Sequence, residues 1–337
     1  MAIAPPPGLA ARLHGRRDLR LGPAEPPVPV AGRVSLRVAA VGLCGSDLHW
    51  YDEGAIGETR LTRPLVLGHE FAGVIEDGPR AGERVAVDPA DPCEACHLCR
   101  AGMGRLCADV RFFGLDPDDG ALQTRLSVPE RRCVALPDAI ADHDAVLLEV
   151  LGIALHAADL ADLRPGMTAG VYGAGPIGQL VIRVLRHRGL AVVATDRLAH
   201  RVEAARASGA AEAFLVGDED PAAAVPVDVA FECSGDDAAL ETAIRAVRPA
   251  GRVLMVGIPA GVRAAFPASP VRRKELTLQA VRRMEAPDLA RAIELVASGE
   301  LRLAGLVTDR FTLDDVAAAF ERAVAREGLK VVVEPGR

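Results

Sequence analysis

Cys44, His69, Glu70 and Glu149 are residues whose types could do chemistry together: a thiol, an imidazole and two carboxylates. Cys44 lies in Gly42-Leu43-Cys44-Gly45-Ser46-Asp47-Leu48-His49, and the His-Glu pair in Gly68-His69-Glu70-Phe71-Ala72-Gly73. We read these stretches as two short loops flanked by glycines. Mixed sulfur, nitrogen and oxygen donors suit a zinc ion that keeps one coordination position open, as a catalytic metal must. Taken singly, each has a plainer explanation: Cys44 a buried apolar thiol, His69 a satisfied core histidine, Glu70 a surface charge. Their spacing alone does not bring them together.

A second cluster needs no such help. Cys93-Glu94-Ala95-Cys96-His97-Leu98-Cys99, followed by Cys107, forms a C-x2-C-x2-C-x7-C pattern. Four thiolates at this spacing can wrap a tetrahedral zinc with no open position, which makes the site structural. Two disulfides are disfavoured in a reducing compartment, and an iron–sulfur cluster has no other redox feature to support it. His97 is then a loop residue, because four sulfurs complete the sphere.

Gly173-Ala174-Gly175-Pro176-Ile177-Gly178 matches the G-x-G-x-x-G fingerprint. It follows a predicted strand and opens a helical stretch. A second predicted strand, residues 191–195, ends in Asp196, 18 residues beyond Gly178. Glycines here allow a tight turn and close approach of a pyrophosphate to a helix N-terminus, where free N–H groups and the dipole favour anions. Asp196 can accept hydrogen bonds from the ribose hydroxyls and would repel a 2′-phosphate, which favours NAD over NADP; the adjacent Arg197 works against that preference. Cys233 and Gly257, after the predicted strands at 227–231 and 251–256, lie where ligands bind in open α/β sheets, and are expected to line the cofactor.

These residues must be positioned by elements that the patterning suggests. At 337 residues the chain has room for two domains. Residues 32–39, 71–76 and 83–87 read as strands separated by Gly/Pro turns, giving a β-rich first domain. Residues 144–163 have helical composition, and Arg164-Pro165-Gly166 breaks the chain. Strands at 170–172, 191–195, 227–231 and 251–256 then alternate with helical segments, which implies a parallel sheet covered on both faces. Helical stretches at 289–297 and 313–325 flank residues 306–311, and residues 330–333 supply a last strand.

Composition excludes several classes. A net charge of −7 provides no basic excess to neutralise phosphates, which argues against nucleic acid as a partner. No apolar run reaches the length of a membrane span, and the Pro-rich opening Ala4-Pro5-Pro6-Pro7 has neither a basic nor an apolar signal region, so a cytoplasmic protein is expected. Aromatic residues are only 3% of the chain, so the cores must rely on Val, Leu and Ala.

The two glycine-flanked stretches, the four-cysteine lobe and the glycine fingerprint, in this order, resemble the zinc-dependent medium-chain alcohol dehydrogenase family. Ile56-Gly57, Pro64-Leu65-Val66-Leu67-Gly68, the Glu70 that follows His69, and Pro117-Asp118-Asp119-Gly120 make the chain most similar to the sorbitol/xylitol (polyol) dehydrogenase branch. The resemblance implies an α/β chain: a GroES-like β-rich catalytic domain (residues 1–150 and 284–337, with a structural zinc lobe at about 90–110) and a Rossmann NAD-binding domain (residues 151–283). It implies that Cys44 and His69 ligate a catalytic zinc, with Glu70 and Glu149 as further ligands, directly or through water. Ser46 and His49 match proton-relay positions, Arg201 matches an adenosine-side contact, and Arg283 loosely matches a nicotinamide-side arginine. Trp50 stands where the polyol branch usually has Tyr, and Val150 replaces the usual Pro after Glu149.

The expected activity is hydride transfer between a secondary alcohol, of polyol, sugar-like or cyclitol type, and NAD, with two zinc ions per chain. A small-molecule alcohol is the partner, and relatives are usually dimers or tetramers. The alternatives are a threonine-type amino alcohol dehydrogenase, a zinc-independent quinone reductase-like member of the same fold, and a non-enzymatic NAD-binding protein.

Overall fold

A computed structural model describes residues 8–217, 225–259 and 261–336. The Pro-rich opening lies outside them. The chain divides into two compact units. One comprises residues up to Glu149, Glu285–Ser298 and the chain from Arg302; the other comprises Val150–Met284 and Gly299–Leu301.

The first unit is built on the strand Arg33–Gly42, in which Val34, Leu36, Val38 and Ala40 alternate into the core with the period of two that a pleated strand imposes. It pairs antiparallel with Glu70–Ile75, Arg125–Pro129 and, at its end, the C-terminal strand Lys330–Glu334. The seven-stranded sheet is completed by Arg84–Val87, Cys133–Ala135 and Val307–Thr312. Phe71, Phe113 and Phe320 are buried in its core, with Phe71 and Phe113 edge-to-face at 5.4 Å. At the end of Arg33–Gly42, Gly42 has Glu70 as its register partner on one side and Val332 on the other. Residues from three distant parts of the chain therefore meet there.

The second unit is a six-stranded parallel sheet in the order Glu212–Leu215, Ala191–Asp196, Thr168–Tyr172, Val227–Glu232, Val247–Met255, Thr277–Ala280. Its central strands are buried nearly throughout, as in Val227–Glu232, because helices cover both faces of a parallel sheet. Helix Pro176–His187 follows the strand Thr168–Tyr172. Proline early in the first turn loses no intrahelical hydrogen bond, and Leu180, Val181, Val184 and Leu185 form the buried face.

Among the described residues no helix is long and apolar enough to cross a membrane.

Candidate active site and cofactor site

The first stretch is not a loop throughout. Cys44 is the N-cap of the helix Gly45–Glu53, which carries Ser46, Asp47 and His49, and Glu70 is the first residue of the strand Glu70–Ile75. Asp47 explains why the chain turns helical here. Its Oδ2 accepts the Cys44 backbone N–H at 2.9 Å, a capping contact. Its Oδ1 accepts the Gly68 N–H at 3.1 Å and stands 3.6 Å from His69 Nδ1. One buried carboxylate thus fastens the two stretches together and orients the imidazole.

Single donor atoms of Cys44, His69 and Glu70 lie within 4.8 Å of one another. Ser46 Oγ is 3.5 Å from His69 Nε2. His49 Nδ1 is 2.8 Å from Glu53 Oε1, one helical turn on. Burial disfavours a charged imidazole at His69, but the negative charges of Asp47 and Cys44 outweigh it and hold its proton affinity well above the usual histidine range.

Glu149 sits in the first turn of helix Leu147–Leu160 and is outside that close trio. It is buried, and burial with the nearby Glu70 charge pushes it up to about 7. Its Oε2 has no hydrogen-bond partner. An orphaned buried carboxylate oxygen beside a Cys/His/Glu trio fits a cation between them, because isolated buried charge is otherwise costly.

In the lobe, Cys96 and Cys99 sulfurs are 3.4 Å apart, and Cys93–Cys99 and Cys96–Cys107 are each 3.9 Å apart. A tetrahedron of Zn–S bonds of about 2.3 Å has S···S edges of about 3.8 Å, so these spacings fit one metal. They are far beyond a disulfide bond of about 2.05 Å, and all seven cysteines are free. Backbone N–H groups of Ala95 and Cys96 draw the Cys93 thiol down to about 7, whereas burial pushes Cys99 to about 12. A Cys99 thiol raised this far gives up its proton near neutral pH only when a cation compensates the charge.

In the second unit the glycines divide the work. A Cβ on Gly178 would lie 2.0 Å from the Gly173 carbonyl oxygen, so Gly178 serves helix–strand packing. Gly175 is the helix N-cap, with Pro176 and Ile177 in the first turn. Asp196 Oδ2 accepts the Ala174 N–H and Oδ1 the Leu198 N–H, at 2.8 and 2.9 Å. It therefore shapes the glycine loop, and Arg201 Nη1 is 4.0 Å from it. Arg197 is paired with Asp236 at 3.1 Å. Cys233 and Gly257 follow the adjacent strands Val227–Glu232 and Val247–Met255, and Arg283 follows the edge strand Thr277–Ala280.

Sequence reasoning did not single out Asp47, Lys330 or Gln179. Gln179 is fully buried and its Nε2 donates to the Ala174 and Arg201 carbonyls. A polar residue immediately after the fingerprint was the available signal. Trp50 is buried in the core of the first unit, and the neighbouring Tyr51 donates its hydroxyl to Glu321.

A Rossmann-type sheet with a glycine fingerprint, together with a β-rich unit carrying a Cys/His/Glu trio and a four-cysteine lobe, defines a zinc-binding dehydrogenase that uses a nicotinamide cofactor. The family model described as alcohol dehydrogenase GroES-like domain matches residues 30–138, and that described as zinc-binding dehydrogenase matches residues 176–298. Sorbitol dehydrogenase of Bacillus subtilis is 33% identical, covering 97% of this chain and 97% of its own. The Arthroderma otae protein named Probable D-xylulose reductase A is 34% identical, covering 99% of both. The crystal structure of L-idonate 5-dehydrogenase from Escherichia coli matches with a TM-score of 0.88 at 26% identity, over 97% of this chain and 98% of that one. The chain belongs to the zinc-dependent medium-chain alcohol/polyol dehydrogenase family, and it is an oxidoreductase acting on CH–OH groups.

Proposed function

We propose that this protein oxidises a polyol, or a sugar-like or cyclitol secondary alcohol, with NAD, and that it holds two zinc ions per chain. The convergence of Cys44, His69 and Glu70 donors within 4.8 Å carries the reading. Cys44, His69, Glu70 and Glu149 would hold the catalytic metal, and Cys93, Cys96, Cys99 and Cys107 the structural one. When bound, the zinc supplies a Lewis acid that lowers the pKa of a substrate hydroxyl, and the nicotinamide supplies the hydride acceptor.

The chain's own contribution is to move a proton and to orient the ligands. Ser46 and His49 lie three residues apart, hence on one face of their helix, and form the path by which the hydroxyl proton leaves. Glu53 accepts from His49 Nδ1, which leaves Nε2 to take the proton. Asp47 fixes the tautomer and orientation of His69 from behind. In the cofactor unit, Asp196 favours the unphosphorylated ribose of NAD and Arg197 is occupied by Asp236, which supports NAD over NADP. Gly173, Gly175 and the N–H groups of the first helical turn would take the pyrophosphate.

The names of the similar proteins, a sorbitol dehydrogenase, a D-xylulose reductase and an L-idonate dehydrogenase, support a polyhydroxylated substrate. We assign residues 1–150 and 284–337 to the catalytic domain and 151–283 to the cofactor domain. The uncovered edge strand Thr277–Ala280, with the exposed Ile258, Val262 and Phe266 in the segment before it, supports a homo-oligomer, which sedimentation measures. Seven free cysteines fit a reducing, cytoplasmic compartment.

The test is nicotinamide reduction with a panel of polyols, inositols, sugars and amino alcohols, each with NAD and with NADP, beside metal analysis. Turnover of polyols with NAD, lost on chelation, is expected. Activity confined to amino alcohols, or unaffected by removal of the catalytic zinc, would overturn it.

A further inference from the structure

Lys330 lies on the C-terminal strand Lys330–Glu334, all five residues of which are buried, and is itself only 2% exposed. A buried ammonium persists only when charged or hydrogen-bonding partners replace its water. Its partners are specific. Nζ donates to the carbonyl of Leu43, the residue before Cys44, at 3.1 Å, and is ion-paired with Oε2 of Glu70, the residue after His69.

Sheet register produces this meeting. Gly42 pairs with Glu70 on one side and Val332 on the other, and the Leu43 N–H donates to Val331 O at 3.0 Å. The strand bearing Lys330 therefore runs beside the point where the chain leaves the sheet for Cys44. Gly42 makes room as well, since a Cβ there would stand 2.4 Å from Glu70 Oε2. The groups around this ammonium are mostly anionic: Glu70, Cys44 and Glu149 all favour its charge. A thiolate and two carboxylates exceed the charge of one divalent ion, and Lys330 offsets the surplus.

We propose that Lys330 is a positioning residue of the catalytic metal site. With the Leu43 carbonyl as a second anchor for Nζ, it takes Oε2 of Glu70, holds that carboxylate in one arrangement and leaves a single Glu70 oxygen, Oε1, for the metal. This inference rests on the ligand assignment proposed above and deepens it: Glu70 is a one-oxygen ligand fixed from the far end of the chain.

The experiment uses the full-length protein, metal competition against a chelator, and cobalt substitution. Lys330→Met is expected to lower affinity at the catalytic site by roughly 10- to 100-fold, the usual effect of removing a partner of a metal ligand. The visible cobalt bands of that site shift, and the four-cysteine site keeps its metal. In a Glu70→Gln background, adding Lys330→Met changes affinity by no more than about twofold, because Lys330 acts through Glu70. That neutral pair also decides the matter if Lys330→Met alone does not fold. Wild-type affinity and cobalt bands in Lys330→Met, or a further roughly tenfold loss in the Glu70→Gln background, would overturn the role of Lys330. One zinc per chain in the wild type, unaffected by Cys44→Ser, would instead overturn the ligand assignment itself.

Discussion

Asp47 should be the most damaging single position in the catalytic unit that is not itself a ligand. It is 1% exposed and accepts two backbone N–H groups, from Cys44 at 2.9 Å and Gly68 at 3.1 Å, with His69 Nδ1 at 3.6 Å. Hydrogen bonds to a charged acceptor contribute about 1.5–3 kcal/mol each, and their loss leaves two donors unsatisfied. Relief of the carboxylate's own desolvation offsets part of the sum. Asp47→Ala should then cost about 3 kcal/mol, which at roughly 2–4 °C per kcal/mol lowers the melting temperature by about 6–12 °C. Asp47→Asn separates charge from shape. Its amide accepts with one end only, so its NH2 confronts one of the two backbone donors, and it should behave nearly as badly as alanine. The assay is thermal unfolding of both variants with and without chelator, beside zinc affinity. The hydrogen bonds need no metal, so the apo form should lose stability too, and affinity at the catalytic site should fall about 10- to 100-fold. An Asp47→Ala protein that melts with the wild type and keeps its zinc would refute the reasoning.

Three further outcomes are expected. The Tyr51 phenol donates to Glu321, and burial together with this bond raises its pKa from 10.0 to about 12. A raised phenol pKa gives stability that is complete below pH 10 and is lost as pH rises through about 12. Tyr51→Phe should abolish that alkaline loss and cost about 1 kcal/mol at neutral pH; a wild-type alkaline unfolding profile would count against it. Gly178→Ala places a Cβ 2.0 Å from the Gly173 carbonyl, and should cost about 1–3 kcal/mol and raise the KM for NAD, with an unchanged KM and melting curve as the contrary result. Asp236→Ser keeps a cap for the helix Asp237–Ala246 and releases Arg197. The ratio of kcat/KM for NADP over NAD should rise by about tenfold, and an unchanged ratio would show that Arg197 does not face the 2′ position.

What the sequence determined by itself is what local segments encode. The four-cysteine lobe spans residues 93–107, so its spacing alone carries the ligand set, and the structure brings those sulfurs to within metal-sharing distance. The glycine fingerprint, its strand and Asp196 belong to one β-α-β unit, and the alternation after residue 168 predicts the parallel sheet that is found. The trio was less legible. Cys44 and His69 could be named, but the helix that begins after Cys44 was hidden by its glycine and polar residues, and Asp47 reads as an ordinary turn residue until both N–H donors are seen. Tertiary structure alone decided how the two glutamates differ. Glu70 is fixed by Lys330, 260 residues away, through sheet register, while Glu149 keeps an unpartnered oxygen. Register is a property of paired strands, not of either strand, so no spacing within the chain could report it.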